Sequence, residues 1–155
     1  MKTESGQEKI IQLITFKMAN KVYAIDISHV KEINKIFSVT KVPKVDSFID
    51  GVMNLRGSII PVINIRKRFK IEEIPYSLKN KLIIVDYEGD SVGLIVDEIS
   101  EVVKIDSENI ESDKEKMGEI GIEFVEGLGK TDDGIIPVLD IFKLIDRERE
   151  THAAL

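Results

Sequence analysis

Short apolar runs separated by turn residues recur along the whole chain. Runs of apolar and β-branched residues, with the length and composition of β-strands, cover residues 10–16, 22–27, 82–87 and 92–96. Residues with turn preferences occupy positions 20–21, 56–57, 88–90 and 132–134. The pattern predicts an all-β chain of many short strands.

Two stretches of the chain match each other at a constant offset. Five pairs of identical residues lie 76 positions apart: Phe48 and Phe124, Gly51 and Gly127, Ile59 and Ile135, Pro61 and Pro137, and Ile65 and Ile141. Upstream, residues 24–36 match residues 93–105 more weakly, at an offset of 69. An insertion of 7 residues (76 − 69) in the second copy, near residues 108–119, reconciles the two offsets. The chain is therefore a tandem pseudo-repeat.

Each copy contains the run Ile-Ile-Pro-Val. Pro61 and Pro137 lack a backbone N–H, which favours an edge position or a bulge over the centre of a sheet. The same proline in both copies predicts one local geometry used twice. Residues 71–81 are the expected connector between the copies.

A short helix is predicted at the end of each copy. Asn64 and Asp140 are good N-cap residues, and they predict helices over residues 65–69 and 141–145. The second helix is expected to continue into residues 146–150, which contain no helix breaker. Many short strands with one small helix per copy predict a sandwich or small barrels.

The composition is that of a soluble globular protein. A chain of 155 residues is long enough for one domain or two very small ones, and it is 43% hydrophobic and 32% charged. No apolar run approaches the roughly 20 residues of a membrane-spanning helix, and the amino terminus lacks the features of a signal peptide. We therefore expect a cytoplasmic protein that does not insert into membranes, with residues 1–9 as a flexible N-terminus.

Cysteine is absent and histidine is scarce, which restricts the available chemistry. Without cysteine there are no disulfides, zinc ribbons, iron–sulfur clusters or thiol nucleophiles. The two histidines, His29 and His152, are not spaced for joint metal binding or base catalysis. Common hydrolase, metalloprotease and dinucleotide-binding motifs are also missing. The sequence predicts a binding protein with no catalytic residues, no metal site and no cofactor.

Two motifs suggest other ligands. Gly129-Lys130-Thr131 resembles the end of a phosphate-binding loop, but Phe124 stands where such a loop needs a glycine, which favours a surface turn. The basic run at residues 66–70 is interpreted as the exposed face and end of a short helix. The net charge of −6 opposes nucleic-acid binding. The alternatives are a small-ligand or nucleotide-binding regulatory domain and a nucleic-acid-binding barrel.

Arg56 distinguishes the first copy from the second. Residues 54–58 contain this arginine at a hairpin tip, whereas the equivalent residues 130–134 contain none. Arg56 is either an ordinary turn residue or a partner anchor, since a guanidinium combines a five-donor fork with a stackable surface. Gly51 and Gly127 recur at equivalent positions and are interpreted first as backbone requirements.

Three motifs carry a family resemblance. The run Gly51-Val-Met-Asn-Leu-Arg-Gly-Ser-Ile-Ile-Pro-Val62, with Val30-Lys-Glu-Ile33 and Gly127-Leu-Gly129, resembles the CheW family of chemotaxis coupling proteins. The resemblance covers residues 10–145. It implies two SH3-like five-stranded barrels, related by the internal repeat, with a hydrophobic groove between them.

The resemblance also implies an arrangement of the barrels along the chain. The first barrel is expected over approximately residues 17–80 and the second over residues 81–145, with a possible exchange of the N-terminal strand. Residues 146–155 are expected to form the end of the C-terminal helix and a tail.

The function implied by the resemblance is a non-enzymatic scaffold. CheW-like proteins bridge transmembrane chemoreceptors to the histidine kinase CheA, and they control kinase activity and receptor-array assembly. We expect a cytoplasmic adaptor that is recruited to membrane-bound receptor arrays. Its expected partners are the regulatory domain of CheA and the cytoplasmic helical tip of chemoreceptors, not nucleic acid.

The resemblance carries two sets of site residues onto this sequence. The residues implied in receptor binding are Arg56, Asn54, Gly57, Val30, Glu32 and Ile33. Those implied in kinase binding are Gly51, Gly93, Gly127 and Glu32. Backbone geometry is an alternative explanation for the importance of the three glycines.

Overall fold

The computed structural model describes residues 9–42, 49–113 and 123–145. Its strands are β1 (Ile10–Met18), β2 (Lys21–Asp26), β3 (Val30–Asn34), β4 (Ile49–Leu55), β5 (Ser58–Asn64), β6 (Lys81–Tyr87), β7 (Asp90–Val96), β8 (Glu98–Asp106), β9 (Ile110–Glu111), β10 (Val125–Thr131) and β11 (Gly134–Leu139). Its short helices are α1 (Ile65–Arg68) and α2 (Ile141–Ile145), and 3-10 turns cover Ile27–His29 and Ser107–Asn109. The predicted all-β fold with short helices is confirmed. The predictions for residues 1–8 and 146–155 lie outside the described residues.

The strands form two sheets with the same order of equivalent strands. The six-stranded sheet has the order β8-β1-β2-β11-β10-β9, and the five-stranded sheet has the order β3-β6-β7-β5-β4. An isolated bridge between Thr40 and Val52 adds a pairing beside β4, where the six-stranded sheet has β9 beside β10. The internal repeat of the sequence therefore corresponds to a repeat of the fold.

Each sheet combines strands from both copies of the repeat. The β1–β2 hairpin of the first copy pairs with β8 and β11 of the second, and the β6–β7 hairpin of the second pairs with β3 and β5 of the first. The junctions are equivalent parallel pairings, Val138 with Ala24 and Val62 with Gly93. A boundary near residue 80 therefore does not divide the chain into two separate sheets. Each half of the chain contributes one hairpin to the sheet of the other half.

The two repeated prolines lie where the parallel pairing stops. Pro61 directly precedes the segment of β5 that pairs with β7, and Pro137 directly precedes Val138, the residue of β11 that pairs with β2. On the side that faces the parallel partner strand, both prolines therefore lie at edge-like positions, where the missing N–H costs no hydrogen bond between strands. The sequence prediction of one local geometry used twice is confirmed.

The largest hydrophobic cluster joins the two sheets. It includes Phe16 and Leu139 from the six-stranded sheet and Ile63, Ile83 and Leu94 from the five-stranded sheet, all at most 1% exposed. Smaller clusters lie within each sheet, one around Met53, Leu82 and Ile95 and the other around Leu13, Ala24 and Val138. Because the shared cluster is the largest, the two halves have one common core.

The predicted turns and helix caps are present. Positive φ angles at Arg56 and Gly57 and at Glu88 and Gly89 fit two-residue turns of the type that hairpins favour. The first turn lies at Ala19 and Asn20, one residue earlier than predicted. The Oδ1 atoms of Asn64 and Asp140 accept hydrogen bonds of 2.9 Å from the backbone N–H groups of Arg66 and Phe142. Both helices therefore start where the sequence predicted.

The prediction for the basic run was wrong. The basic run at residues 66–70, expected to be solvent-facing, is bonded inward at three positions: Arg66 pairs with Asp97, Lys67 with Asp50, and Arg68 with backbone carbonyls of α2. The basic side chains turn inward because acidic and carbonyl groups from distant parts of the sequence lie beside them and accept their hydrogen bonds.

Candidate functional site

Glu32 and Arg56 form an ion pair between the two edge strands of the five-stranded sheet. Glu32 lies on β3, and Arg56 lies in the turn after β4. The second carboxylate oxygen of Glu32 accepts a hydrogen bond of 2.9 Å from Asn34 Nδ2. The hydrogen bond from Arg56, followed by that from Asn34, lowers the pKa of Glu32. A charged pair therefore joins the two edges at one end of this sheet.

The hairpin that presents Arg56 is well defined. Arg56 has φ 50° and Gly57 has φ 89°, and Asn54 Oδ1 accepts a hydrogen bond of 2.9 Å from the N–H of Gly57. The side chain of Arg56 remains 67% exposed although it is paired. A rigid turn therefore holds an arginine whose remaining donors face solvent.

The structure places four of the six candidate receptor-binding residues at this hairpin and its ion pair: Arg56, Asn54, Gly57 and Glu32. The other two lie on β3 beside Glu32 but differ in exposure. Ile33 is 40% exposed, whereas Val30 is half-buried and packs against the shared core cluster. Ile33 can therefore contact a partner directly, while Val30 supports the strand.

A groove with apolar and polar lining begins at Ser58, two residues after Arg56. One wall is β5 and the β6–β7 hairpin, the other is α2, and the groove has a volume of about 870 Å³. Its lining is mixed, with apolar residues Ile59, Pro61, Tyr87, Val92, Phe142 and Ile145 and polar residues Ser58, Glu88, Asp90 and Ser91. Ile59 is 63% exposed and Phe142 is 45% exposed. Since α2 follows β11 of the six-stranded sheet, the groove lies between elements of the two halves, as predicted.

A second depression of about 750 Å³ occupies the equivalent place in the six-stranded sheet. Ile135 and Pro137 line it as Ile59 and Pro61 line the first groove, and Ile135 is 60% exposed. Its rim includes Glu101 and Asp133, and no arginine occupies the hairpin tip. This surface was not predicted from the sequence, although the repeat of Ile59 at Ile135 is the signal that could have revealed it.

The three candidate kinase-binding glycines are buried at close approaches inside the fold. A Cβ atom on Gly51 would lie 2.2 Å from the Thr40 carbonyl oxygen, and one on Gly127 would lie 2.7 Å from a methyl group of Ile110. A Cβ atom on Gly93 would lie 2.8 Å from Leu82. A side chain at Gly51 would collide with backbone, whereas one at Gly93 or Gly127 would first meet a side chain, so the steric requirement for glycine is strictest at Gly51. Because all three glycines are buried, any influence on a partner acts through the shape of the backbone.

Asp50 lies at the centre of a polar network that was not predicted from the sequence. Its carboxylate, 3% exposed, accepts from Lys41 Nζ at 2.7 Å, Lys67 Nζ at 3.0 Å and the Tyr76 hydroxyl at 2.9 Å. Burial alone would raise the pKa of Asp50, but the three hydrogen bonds lower it below its usual value. Burial, followed by the bond to Asp50, raises the pKa of Tyr76. The network ties the connector to β4 and α1, and no sequence motif marks it.

The structure contains no nucleotide loop at Gly129-Lys130-Thr131, because these residues belong to β10 and the turn begins after them. The nucleotide-binding alternative therefore has no support. Among the described residues, no group of side chains is arranged to hold a metal ion. Nor does the described part of the chain contain a helix of the length and hydrophobicity needed to cross a membrane.

Comparisons with known proteins agree on one family. The family model for the CheW-like domain matches residues 12–149. The chemotaxis protein CheW of Treponema pallidum is 34% identical over 137 residues, which is 86% of this chain and 81% of that protein. The chemotaxis protein CheW of Bacillus subtilis is 34% identical over 142 residues, or 92% of this chain and 91% of that protein.

A solved structure supports the same assignment. The scaffolding protein TtCheW from Thermoanaerobacter tengcongensis superposes with a TM-score of 0.78 and 41% sequence identity, covering 86% of this chain and 91% of that one. The shared fold is consistent with two SH3-like barrels. The chain therefore belongs to the CheW family of chemotaxis scaffolding proteins.

Proposed function

We propose that this protein is a non-enzymatic scaffold that couples transmembrane chemoreceptors to the histidine kinase CheA. The observation that carries the proposal is the exposed Arg56 hairpin next to the groove, which exposes Ile59 and Phe142 among polar lining residues. The protein acts in the cytoplasm and is recruited to membrane-bound receptor arrays, where it controls kinase activity and array assembly.

The groove suits the helical tip of a receptor. An amphipathic helix docks by placing apolar side chains in a groove and polar groups on its rim. Ile59 and Phe142 supply exposed apolar contacts, and Arg56 at the rim can bind a carboxylate or a carbonyl through its free donors. Glu32 orients Arg56, so the two residues act as one receptor-binding unit with Asn54, Gly57 and Ile33.

Kinase binding is assigned to Gly51, Gly93 and Gly127 and to Glu32, which is shared with the receptor-binding residues. The regulatory domain of CheA is the proposed partner, and Gly51, Gly93 and Gly127 contribute by shaping the backbone of the barrels that dock on it. Two modest interfaces on one rigid body raise the effective concentration of kinase at the receptor. A scaffold of this kind needs no cofactor.

A capture experiment with purified CheA and a soluble fragment of the receptor cytoplasmic tip tests the proposal. Wild-type protein should capture both partners. An Arg56→Glu variant should lose the receptor fragment and retain the kinase, because it places two carboxylates together at the hairpin. The matched control is the double variant Glu32→Arg with Arg56→Glu, which restores the internal pair but reverses the charge offered to the partner.

The outcomes separate the roles of the hairpin. If the double variant regains stability but not receptor binding, the exposed guanidinium itself contacts the receptor. Loss of both partners by Arg56→Glu would show that the hairpin is a shared or structural element. Failure of the wild type to capture either partner would overturn the coupling function.

A further inference from the structure

Arg68 joins the two short helices of the repeat. The side chain is 9% exposed. Its Nε donates a hydrogen bond of 2.8 Å to the carbonyl of Leu144, and its Nη2 donates one of 3.0 Å to the carbonyl of Lys143. The guanidinium also lies 4.8 Å from the centre of the Phe124 ring. A buried cation of α1 thus binds the backbone of α2.

The equivalent helix of the second copy has no arginine at this position. The equivalent residue of the second copy, 76 positions later, is Leu144, which is 0% exposed. A buried guanidinium carries a desolvation cost that a leucine avoids. Since an apolar residue suffices in one copy, the arginine in the other contributes through the groups that it binds, which are the carbonyls of α2.

α2 forms one wall of the groove next to the Arg56 hairpin. Phe142 and Ile145 of this helix line the groove. The orientation of Ile141–Ile145 depends on tertiary contacts, because most helical stability in proteins comes from packing. Asp140 caps its N-terminal end, where Oδ1 accepts from the N–H of Phe142 at 2.9 Å. Arg68 binds the following turn, so the helix is held at two points.

We propose that Arg68 is a positioning residue for partner binding, because it holds α2 against the five-stranded sheet at the spacing that the groove requires. The partner is the amphipathic helix of the proposed function, and the predicted effect on partner binding rests on that function. The predicted effect on the position of α2 does not, since that position can be measured without any partner. Arg68 does not touch the groove and acts only through α2.

Hydrogen exchange measures whether Arg68 holds α2 in place. The N–H of Leu144 donates to the carbonyl of Asp140 at 3.1 Å and reports on α2, while the N–H of Phe69 donates to Ile65 at 2.8 Å and reports on α1. In an Arg68→Met variant, which keeps a long apolar side chain, we expect the Leu144 amide to exchange about tenfold faster. The amides of β1 should keep their protection.

Titration calorimetry with the purified receptor-tip fragment tests whether Arg68 affects partner binding. Arg68→Met should weaken binding by about tenfold, and Arg68→Lys, which keeps the charge and one donor to a carbonyl, should give an intermediate loss. Kinase binding should stay within about twofold of wild type. Lys70→Gln is the matched control, because it removes an exposed positive charge two residues away.

The results distinguish the positioning of α2 from its effect on receptor binding. If a folded Arg68→Met protein keeps wild-type exchange at Leu144, the positioning role is wrong whatever the receptor does. If Leu144 exchanges faster but receptor affinity is unchanged, the groove does not depend on Arg68 and the inference is also wrong. If wild type fails to bind the receptor fragment while Leu144 still responds, the positioning of α2 stands and the proposed function fails. Should Arg68→Met not fold, Arg68→Lys provides the same readouts.

Discussion

Arg66 and Asp97 form a two-point ion pair at the junction of the two sheets. Arg66 Nε lies 2.9 Å from Asp97 Oδ1, and Arg66 Nη2 lies 2.6 Å from Asp97 Oδ2. Asp97 is the single residue between β7 of one sheet and β8 of the other. Its Oδ2 also accepts from the N–H of Ala19, in the turn of the exchanged β1–β2 hairpin, at 2.9 Å. One carboxylate therefore ties together α1, both sheets and the exchanged hairpin.

Replacing Asp97 with alanine should lower the free energy of unfolding by about 3 kcal/mol, because Arg66 would lose both of its carboxylate contacts in a largely buried place. Urea denaturation followed by circular dichroism measures this change. Asp133→Asn, in the exposed β10–β11 turn, is the control and should change stability by less than about 0.5 kcal/mol. Equal effects of the two substitutions would contradict the structural role of Asp97.

The stability of the protein should fall in acid partly through Asp50. Burial raises the pKa of Asp50, but hydrogen bonds from Lys41, Lys67 and Tyr76 prevail and lower it. The folded pKa is thus below the unfolded value of about 4, so the contribution is complete above that value and is lost as pH falls through the folded pKa. Denaturation midpoints between about pH 7 and pH 3 should decline less steeply in Asp50→Asn than in wild type. Parallel curves would show that Asp50 is not responsible.

Alanine at Gly51 should be more destabilising than alanine at Gly127. The new Cβ would meet the Thr40 backbone oxygen at 2.2 Å in the first case and a movable Ile110 methyl group at 2.7 Å in the second. We expect losses of about 3 and about 1 kcal/mol, since overpacking against backbone relaxes poorly. Thermal unfolding measures the order. A Gly51→Ala protein with wild-type stability but no kinase binding would instead indicate direct contact with the kinase.

The two equivalent exposed isoleucines should differ in their effect on receptor binding. Ile59 and Ile135 are 63% and 60% exposed, so lysine at either position should change stability by less than about 0.5 kcal/mol. Ile59→Lys should weaken binding of the receptor fragment by about tenfold or more, because an apolar contact beside Arg56 would be lost. Ile135→Lys is the matched control. If the two substitutions weaken receptor binding equally, the receptor does not bind in the groove next to Arg56.

The local elements followed from the sequence because their causes are local. The hairpin at Arg56 and Gly57 and the caps at Asn64 and Asp140 depend on the conformational and hydrogen-bonding preferences of neighbouring residues. The internal repeat likewise predicted equivalent geometry at Pro61 and Pro137. Its recurring glycines were interpreted as backbone requirements, which agrees with the close approach of Thr40 to Gly51.

The inward orientation of the basic run could not be predicted in this way. The partners of Arg66 and Arg68 are Asp97 and the carbonyls of α2, which are 31 and more than 70 positions away. A run of cations on a short helix has the same local pattern whether it faces solvent or buried acceptors. The exchange of the hairpins was likewise open, because either half could have paired with its own strands.

The sequence by itself determined the type of fold, its duplication and the residues of the Arg56 hairpin, since these depend on alternation, turn chemistry and repetition along the chain. The tertiary structure alone decided which hairpin joins which sheet, how Glu32 meets Arg56, and that α2 and β5 enclose a groove. The physical reason is that pairing and burial depend on contacts between distant residues, whose energies local preferences do not encode.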